Sequence, residues 1–276
     1  MDAIDAEAQL LRGILDRVRG ATGLDFSRYR EATMRRRVHN RMMALGLAGL
    51  EQYAQRLEAD PGESRRLVER LTIKVSRFYR NAPVFDLLRG RLLAELAALR
   101  GREPLRLWSA GCGRGEEAYT LAMLLEERAI AGRVLATDID PAALNAAHEG
   151  AYPEEAVAEL PAALRERFLL RETGRMCWRA NPALRARIEF CRHDLLGPLQ
   201  PRRRSFDLVA CRNLLIYLQR DMHEKALARL RQALADDGVL VLGEAEWPSP
   251  GVEDSLEAVA PRQRVFRAAA REVAPA

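Results

Sequence analysis

Cysteine is scarce in this chain of 276 residues, and the four present (Cys112, Cys177, Cys191 and Cys211) have neither metal-ligand nor redox spacing. That excludes a disulfide framework or a zinc cluster as the organising device, and the thiols read as reduced and mostly buried. Histidine is equally sparse and scattered, at His39, His148, His193 and His223, so no metal is expected. No apolar run approaches the roughly eighteen residues that would mark a membrane span. The opening Met1-Asp2-Ala3-Ile4-Asp5 lacks the basic start and apolar core of a signal peptide, which leads to the expectation of a cytoplasmic protein. Lysine is nearly missing, with only Lys74 and Lys225, so the net charge of +5 is carried by arginine. Beside abundant alanine, this arginine bias reflects coding preference as much as selection for phosphate contacts, and no nucleic-acid partner is expected.

What the chain does have is an ordinary globular composition, 48% hydrophobic and 30% charged, enough to bury a sizeable core. Its length suits a small domain followed by a larger one. Residues 1–75 are expected to form an all-α domain. Leu10, Leu11, Ile14, Leu15 and Val18 make a helical stripe that ends near Gly20–Gly23, and further helices are expected at Tyr29–Leu45 and Leu50–Leu57. Asp60-Pro61-Gly62-Glu63 predicts a fourth helix with Asp60 as N-cap, Pro61 at N1 and Glu63 at N3. The second helix carries Arg35, Arg36, Arg37 and Arg41, after Arg28 and Arg30, opposed only by Glu31. Such a run is either a solvated face or an electropositive dock for an acidic partner. Phe26 and Tyr29 are its only nearby aromatics, too few for stacking on single-stranded nucleic acid.

The stretch Leu105–Tyr119 organises the rest. An apolar strand pattern meets Gly111, Gly113 and Gly115, and then Glu116 and Glu117 open an apolar-periodic helix. Glycines at a strand-to-helix turn let a ligand approach the backbone, although a bare glycine pattern also serves as a tight turn. A second strand pattern, Val134–Asp138, ends in acids, and a carboxylate there suits the hydroxyls of a ribose. A pyrophosphate favours a helix N-terminus free of negative charge, whereas Glu116 and Glu117 occupy this one. They fit an adenosine cofactor with a cationic amino-acid end, S-adenosylmethionine. In the alternative reading they merely complement the helix dipole.

Downstream, strands and helices alternate: helix 116–129, helix 141–149 behind Asp140-Pro141, strand Ile188–Cys191, strand Phe206–Ala210, helix 219–235, then Asp236-Asp237-Gly238 and strand Val239–Gly243. This predicts an α/β, doubly wound, mostly parallel sheet with ligands at the carboxyl ends of its strands. Gly111, Asp138, Asp194 and Arg212-Asn213 all fall at such ends. Residues 76–104 read as a linker segment and a helix, Pro83–Leu99, leading into a domain of residues 105–276. A helix about Glu154–Phe168 precedes a short hairpin around Thr173-Gly174, within an insert at about 168–187. The hairpin is either a structural insert or an edge for a docking peptide.

Six stretches carry a resemblance. They are Thr22-Gly23-Leu24-Asp25 with Tyr29, Arg36-Arg37-Val38 with Arg41-Met42, Leu71-Thr72 with Phe78-Tyr79-Arg80, Trp108-Ser109-Ala110 with Gly115-Glu116-Glu117-Ala118-Tyr119, Ala136-Thr137-Asp138-Ile139-Asp140, and Cys211-Arg212-Asn213-Leu214-Leu215-Ile216-Tyr217. In order and content, over about residues 10–245, the chain resembles the CheR-type chemotaxis receptor methyltransferases. The resemblance implies a Rossmann-like, seven-stranded SAM-dependent methyltransferase domain with a small antiparallel β insert, preceded by the all-α domain. It further implies methylation of receptor glutamate side chains, with S-adenosyl-L-homocysteine as product, no metal, and the cytoplasmic helices of methyl-accepting chemoreceptors as partners. By position it implies cofactor contacts at Lys74, Ser76, Arg80, Gly111, Glu117, Asp138, Asp194, Leu195, Arg212 and Asn213. Tyr217 and Arg80 are the candidate catalytic residues, and Arg35, Arg36, Arg37 and Arg41 the candidate receptor dock. The sequence departs from the family at Lys74, where Asn is usual, at Ser76 for Thr, Tyr79 for Phe and Asp194 for Asn. The family's Gly-His-Ser-Glu appears as Gly243-Glu244-Ala245-Glu246.

A glutamate acceptor is already ionised at neutral pH, which fits a chain without a His-Asp pair. The competing readings are a methyltransferase for nucleic acid or a small molecule, and a non-catalytic module that binds cofactor or receptor. Base amino-methylation uses an Asp/Asn-Pro-Pro-aromatic motif, where this chain has Arg212-Asn213-Leu214-Leu215. A monomer is the expected state.

Overall fold

The computed structural model describes residues 3–72, 76–172, 174, 176–197 and 205–269. They divide into two compact units, Met1–Ile73 with Tyr217–Met222, and Lys74–Ile216 with His223–Ala276.

The first unit has four helices, Ala3–Thr22, Glu31–Ala44, Leu50–Ala59 and Glu63–Leu71. The expected stripe is its core: Leu11, Ile14, Leu15 and Val18 are buried with Met34, Val38, Met42, Tyr53 and Leu67. The short segment Tyr217–Met222 joins this unit as an added edge. Tyr29 pairs with Leu218 in an antiparallel bridge, and the Arg30 amide donates to the Tyr217 carbonyl at 2.8 Å. The fourth helix starts later than its sequence predicts. The Gly62 amide donates to the Asp60 carboxylate at 3.0 Å, closing a turn over Pro61-Gly62, so Glu63 is the first helical residue and not N3. Glu63 is also wholly buried. Arg41 grips it with two bonds of 2.7 and 2.8 Å, Arg66 donates at 2.9 Å and the Tyr53 hydroxyl donates at 2.9 Å.

In the second unit the strands are β1 (Leu105–Ala110), β2 (Gly132–Asp138), β3 (Ala151–Pro153), β4 (Leu169–Glu172), β5 (Cys177–Ala180), β6 (Ile188–Arg192), β7 (Phe206–Cys211), β8 (Leu234–Leu242), β9 (Leu256–Ala260) and β10 (Val265–Ala268). Seven of them form one sheet in the order β6-β2-β1-β7-β8-β10-β9. From β6 to β8 the pairs are parallel, whereas β10 runs antiparallel to both its neighbours. The order reverses direction between β1 and β7, the position at which open α/β sheets leave a crevice beyond their strand ends. The helix Glu116–Glu127 is buried along most of its length against this sheet. Residues 76–104 also belong to this unit's core, through Phe78, Val84, Phe85, Leu88, Leu92 and Leu96.

Three local differences from the sequence reading have physical causes. The helix after Ala82 changes to π spacing over Leu88–Leu92, where Gly90 weakens the regular ladder. The stretch expected as one helix from 154 is two, Glu154–Val157 and Ala162–Phe168, because Pro161 has no amide to carry the ladder on. Asp236-Asp237-Gly238 is a bulge inside β8, which starts at Leu234 and not at Val239, since β7 pairs Phe206 with Leu234 and then Leu208 with Val239. The insert is likewise larger than a hairpin. Ala151–Pro153 adds a third strand, in the order β3-β5-β4.

Burial by itself pushes the Glu63 carboxyl up, but the bonds from Arg41, Arg66 and Tyr53 outweigh it and hold the group down at about 2. With the folded value below the unfolded one, this contribution is complete above the ordinary glutamate range and is lost as pH falls through about 2. Glu63→Ala leaves Arg41 and the Tyr53 hydroxyl unpaired and is expected to cost about 3 kcal/mol. Urea unfolding of the two proteins at neutral pH and at pH 3 checks this, since the gap between them narrows in acid.

Candidate active site

Beyond β1 the backbone turns through Gly111, Gly113 and Gly115, with φ of 76°, 56° and 93°. These left-handed values favour glycine. Gly111 has a second reason, because a Cβ there would lie 2.8 Å from Leu214 of the β7 loop. The turn is sewn to β2, as the amides of Gly111 and Cys112 both donate to the Thr137 carbonyl, at 2.8 and 2.9 Å. Asp138 completes the seam. One of its oxygens accepts from the Gly113 amide at 2.8 Å and the other from the Asp140 amide at 2.9 Å. Burial raises the Asp138 carboxyl above the ordinary range, with those two amides acting in opposition. The carboxylate thus shapes the glycine turn.

Arg212 is the hub on the other side of the crevice. It is buried and donates to the Arg80 carbonyl at 2.8 Å, to Asn81 Oδ1 at 2.7 Å and, weakly, to Glu117 at 3.4 Å. Its guanidinium also lies 5.1 Å from the centre of the Phe85 ring. Glu117 accepts the Ser109 hydroxyl at 2.7 Å. Arg212 therefore fixes the 80–81 segment and the Glu117 carboxylate relative to β7, and among the described residues its own Nε has no partner.

The two acids expected to work together are in different environments. Glu116 is buried, burial pushes its carboxyl up to about 7, and among the described residues its Oε2 has no hydrogen-bond partner. Glu117 keeps only a small exposed part at the helix start. Beyond β6, the His193 amide donates to the Asp138 carbonyl at 3.0 Å. Asp194 accepts the Leu196 amide at 2.8 Å, while Leu195 is buried and its carbonyl accepts from Arg229 at 2.7 Å. Asn213 has φ of 59°, and its amide donates to Glu246 at 3.0 Å.

Gly111, Asp138, Glu117, Arg212, Asn213 and the Arg80 backbone thus gather at the strand ends of the second unit. Ser76 is half-buried in that unit, and Lys74 lies outside the described residues. Tyr217 groups with the first unit, where the Arg37 guanidinium stands 5.2 Å from its ring centre. The four candidate docking arginines do not share one role. Arg41 is committed to Glu63. Arg35 pairs with Glu31 at 2.6 Å and Glu7 at 3.7 Å. Arg37 is half-buried and donates to the Leu71 carbonyl, with burial lowering its pKa. Arg36 is exposed. Sequence reasoning assigned no role to Ser109, to Glu246 or to Tyr152, whose hydroxyl donates to the Arg114 carbonyl at 2.7 Å and props the glycine turn from β3. Ser109 and Glu246 stood inside stretches that carry the resemblance, whereas Tyr152 gave no signal.

A model described as CheR methyltransferase, SAM binding domain, matches residues 74–264, and one described as CheR methyltransferase, all-alpha domain, matches residues 9–72. The chain belongs to the CheR methyltransferase family. Its second unit carries the family's SAM-binding domain and its first unit the all-α domain. Among relatives of the family, chemotaxis protein methyltransferase 2 of Pseudomonas aeruginosa is 31% identical over 242 residues, covering 84% of each chain. A chemotaxis protein methyltransferase of Listeria monocytogenes is 34% identical over 81% of this chain and 84% of its own. An uncharacterized 104.1 kDa protein of Rhodobacter capsulatus is 34% identical over 91% of this chain, which spans only 27% of that protein's length. Among the described residues no helix is long and apolar enough to cross a membrane, and no group of three or more His, Cys, Asp or Glu is placed to hold a metal.

The site fits the family's cofactor in its own terms. Gly113 faces open space where a Cβ would meet nothing within 4 Å, and the Asp138 carboxylate that accepts its amide borders that space. Asp138→Ala removes both amide acceptors and is expected to weaken S-adenosylhomocysteine binding by at least about tenfold. Titration calorimetry with circular dichroism as the folding control reads this, and an unchanged affinity would remove Asp138 from the site.

Proposed function

We propose that the protein transfers a methyl group from S-adenosylmethionine to glutamate side chains on the cytoplasmic helices of chemoreceptors, giving glutamate methyl esters and S-adenosylhomocysteine. The observation that carries this reading is the joint match of both domains to one family, over a crevice where Asp138, Glu117 and the Arg212-Asn213 loop converge. The similarity to chemotaxis protein methyltransferases supports a substrate within chemotaxis signalling.

When bound, S-adenosylmethionine supplies a methyl group on a cationic sulfur. Gly111, Asp138, Asp194, Leu195 and Asn213 would hold its nucleoside at the strand ends, and Glu117, Ser76, Arg80 and Lys74 its amino-acid end. The acceptor carboxylate is ionised at neutral pH and attacks directly, so the chain need not move a proton. The O–CH3 bond forms as the S–CH3 bond breaks, and charge is neutralised along the way. The protein's task is then alignment in a site shielded from water, which is the source of a large effective concentration. In this reading Tyr217 orients the acceptor carboxylate through its hydroxyl, and the exposed Arg36 meets the acidic receptor surface.

Incubation with methyl-labelled S-adenosylmethionine and receptor cytoplasmic fragments should yield label that base releases as methanol. Label that survives alkali would identify an amine methyltransferase instead. In the same assay Tyr217→Phe is expected to lower kcat about tenfold, from loss of one orienting hydrogen bond, with cofactor affinity intact. Arg36→Glu should raise the KM for receptor, more so at low salt, and leave the KM for cofactor unchanged. An equal rise in both constants would argue against a docking role.

A further inference from the structure

Glu246 is 2% exposed, and among the described residues no cation pairs with it. Its charge is met by backbone amides alone. One oxygen accepts from Gly243 at 2.7 Å and from Asn213 at 3.0 Å, and the other accepts from Leu215 at 2.7 Å and from Ile216 at 3.3 Å. Those four amides come from two loops, the one leaving β8 and the one leaving β7. The carboxylate fits between them because Gly243 has no side chain. A Cβ there would stand 2.7 Å from both the Asn213 nitrogen and the Glu246 oxygen.

The β7 loop needs such a clasp. Asn213 has a left-handed φ of 59°, a conformation that asparagine tolerates better than other non-glycine residues and that the clasp holds in place. The next residue, Leu214, lies over Gly111 with no space to spare. A shift at Asn213 would therefore be felt at once by the glycine turn. The amides of Leu215 and Ile216, held by the second oxygen, begin the short helical turn Leu215–Tyr217.

We propose that Glu246 is a positioning residue for methyl transfer, with its carboxylate clamping the β7 loop in the one conformation that presents Arg212-Asn213 to the cofactor. This rests on the reading of the crevice given above. The carboxylate acts through the loop backbone and does not itself touch a reactant. A glutamine of the same shape would turn an NH2 group toward two of the four amides, setting donor against donor. An aspartate keeps the charge but is one methylene too short to span both loops.

The test compares wild type, Glu246→Gln and a control, Leu96→Ala. Leu96 is buried in the helix Leu93–Arg100 and forms no part of the site. The measurements are the melting temperature, S-adenosylhomocysteine affinity by calorimetry, and the KM values for cofactor and acceptor. The expected result is at least a tenfold loss of affinity and a matching rise in cofactor KM for Glu246→Gln, with acceptor KM unchanged. Leu96→Ala should melt lower yet bind as wild type does. Should the glutamine variant fail to fold, Glu246→Asp carries the test with the same expected direction. Affinity within twofold of wild type in the Glu246 variant, or losses that follow melting temperature in both variants, would overturn the proposal. A wild-type protein that takes up no S-adenosylhomocysteine would overturn the functional reading along with it, whereas binding by wild type and variant alike overturns only this one.

Discussion

Where parallel strands stop, their amides lose their partners, and any loop that follows must find new acceptors or be left to solvent. In this protein carboxylates supply them. Asp138 collects the amides of Gly113 and Asp140 at the end of β2, and Glu246 collects four more at the ends of β7 and β8. The loops so tied are those that border the crevice at the order reversal between β1 and β7. A site made this way is rigid without being filled by side chains, which leaves room for a flat nucleoside against bare backbone.

The same residue type is used differently in the helical unit. Glu63 is as buried as Glu246, but two arginines and a tyrosine hydroxyl surround it, and its carboxyl is driven down to about 2. Burial raises the carboxyl of Glu246, which has amides only. Charged partners tie helices together here, whereas dipolar partners shape loops. Arg212 combines the two modes, donating to a carbonyl, an amide oxygen and a carboxylate from one buried guanidinium. Its bonds hold Arg80, Asn81 and Glu117 in place.

Much of this was legible in the sequence. Hydrophobic period and the glycine turn located β1, β2, β6 and β7 to within a residue or two, because buried parallel strands are short apolar runs closed by turn residues. Asp138 and Asn213 were legible as strand-end residues for the same reason. What stayed hidden depends on partners far along the chain. Glu63 looked like a helix-start acid, and only its contact with Arg41, 22 residues away, makes it core. The arginine run looked like one surface, yet helical rotation sends Arg41 inward and leaves Arg36 outside. The third strand of the insert escaped because Ala151-Tyr152-Pro153 is too short, and ends in a residue too hostile to pairing, to announce itself.

The central claim is that these carboxylate-tied loops form a receptacle for S-adenosylmethionine. Calorimetric titration of the full chain with S-adenosylhomocysteine tests it most directly. Saturable binding at one molecule per chain is predicted, whereas the absence of any heat of binding, with the protein shown to be folded, would contradict the account.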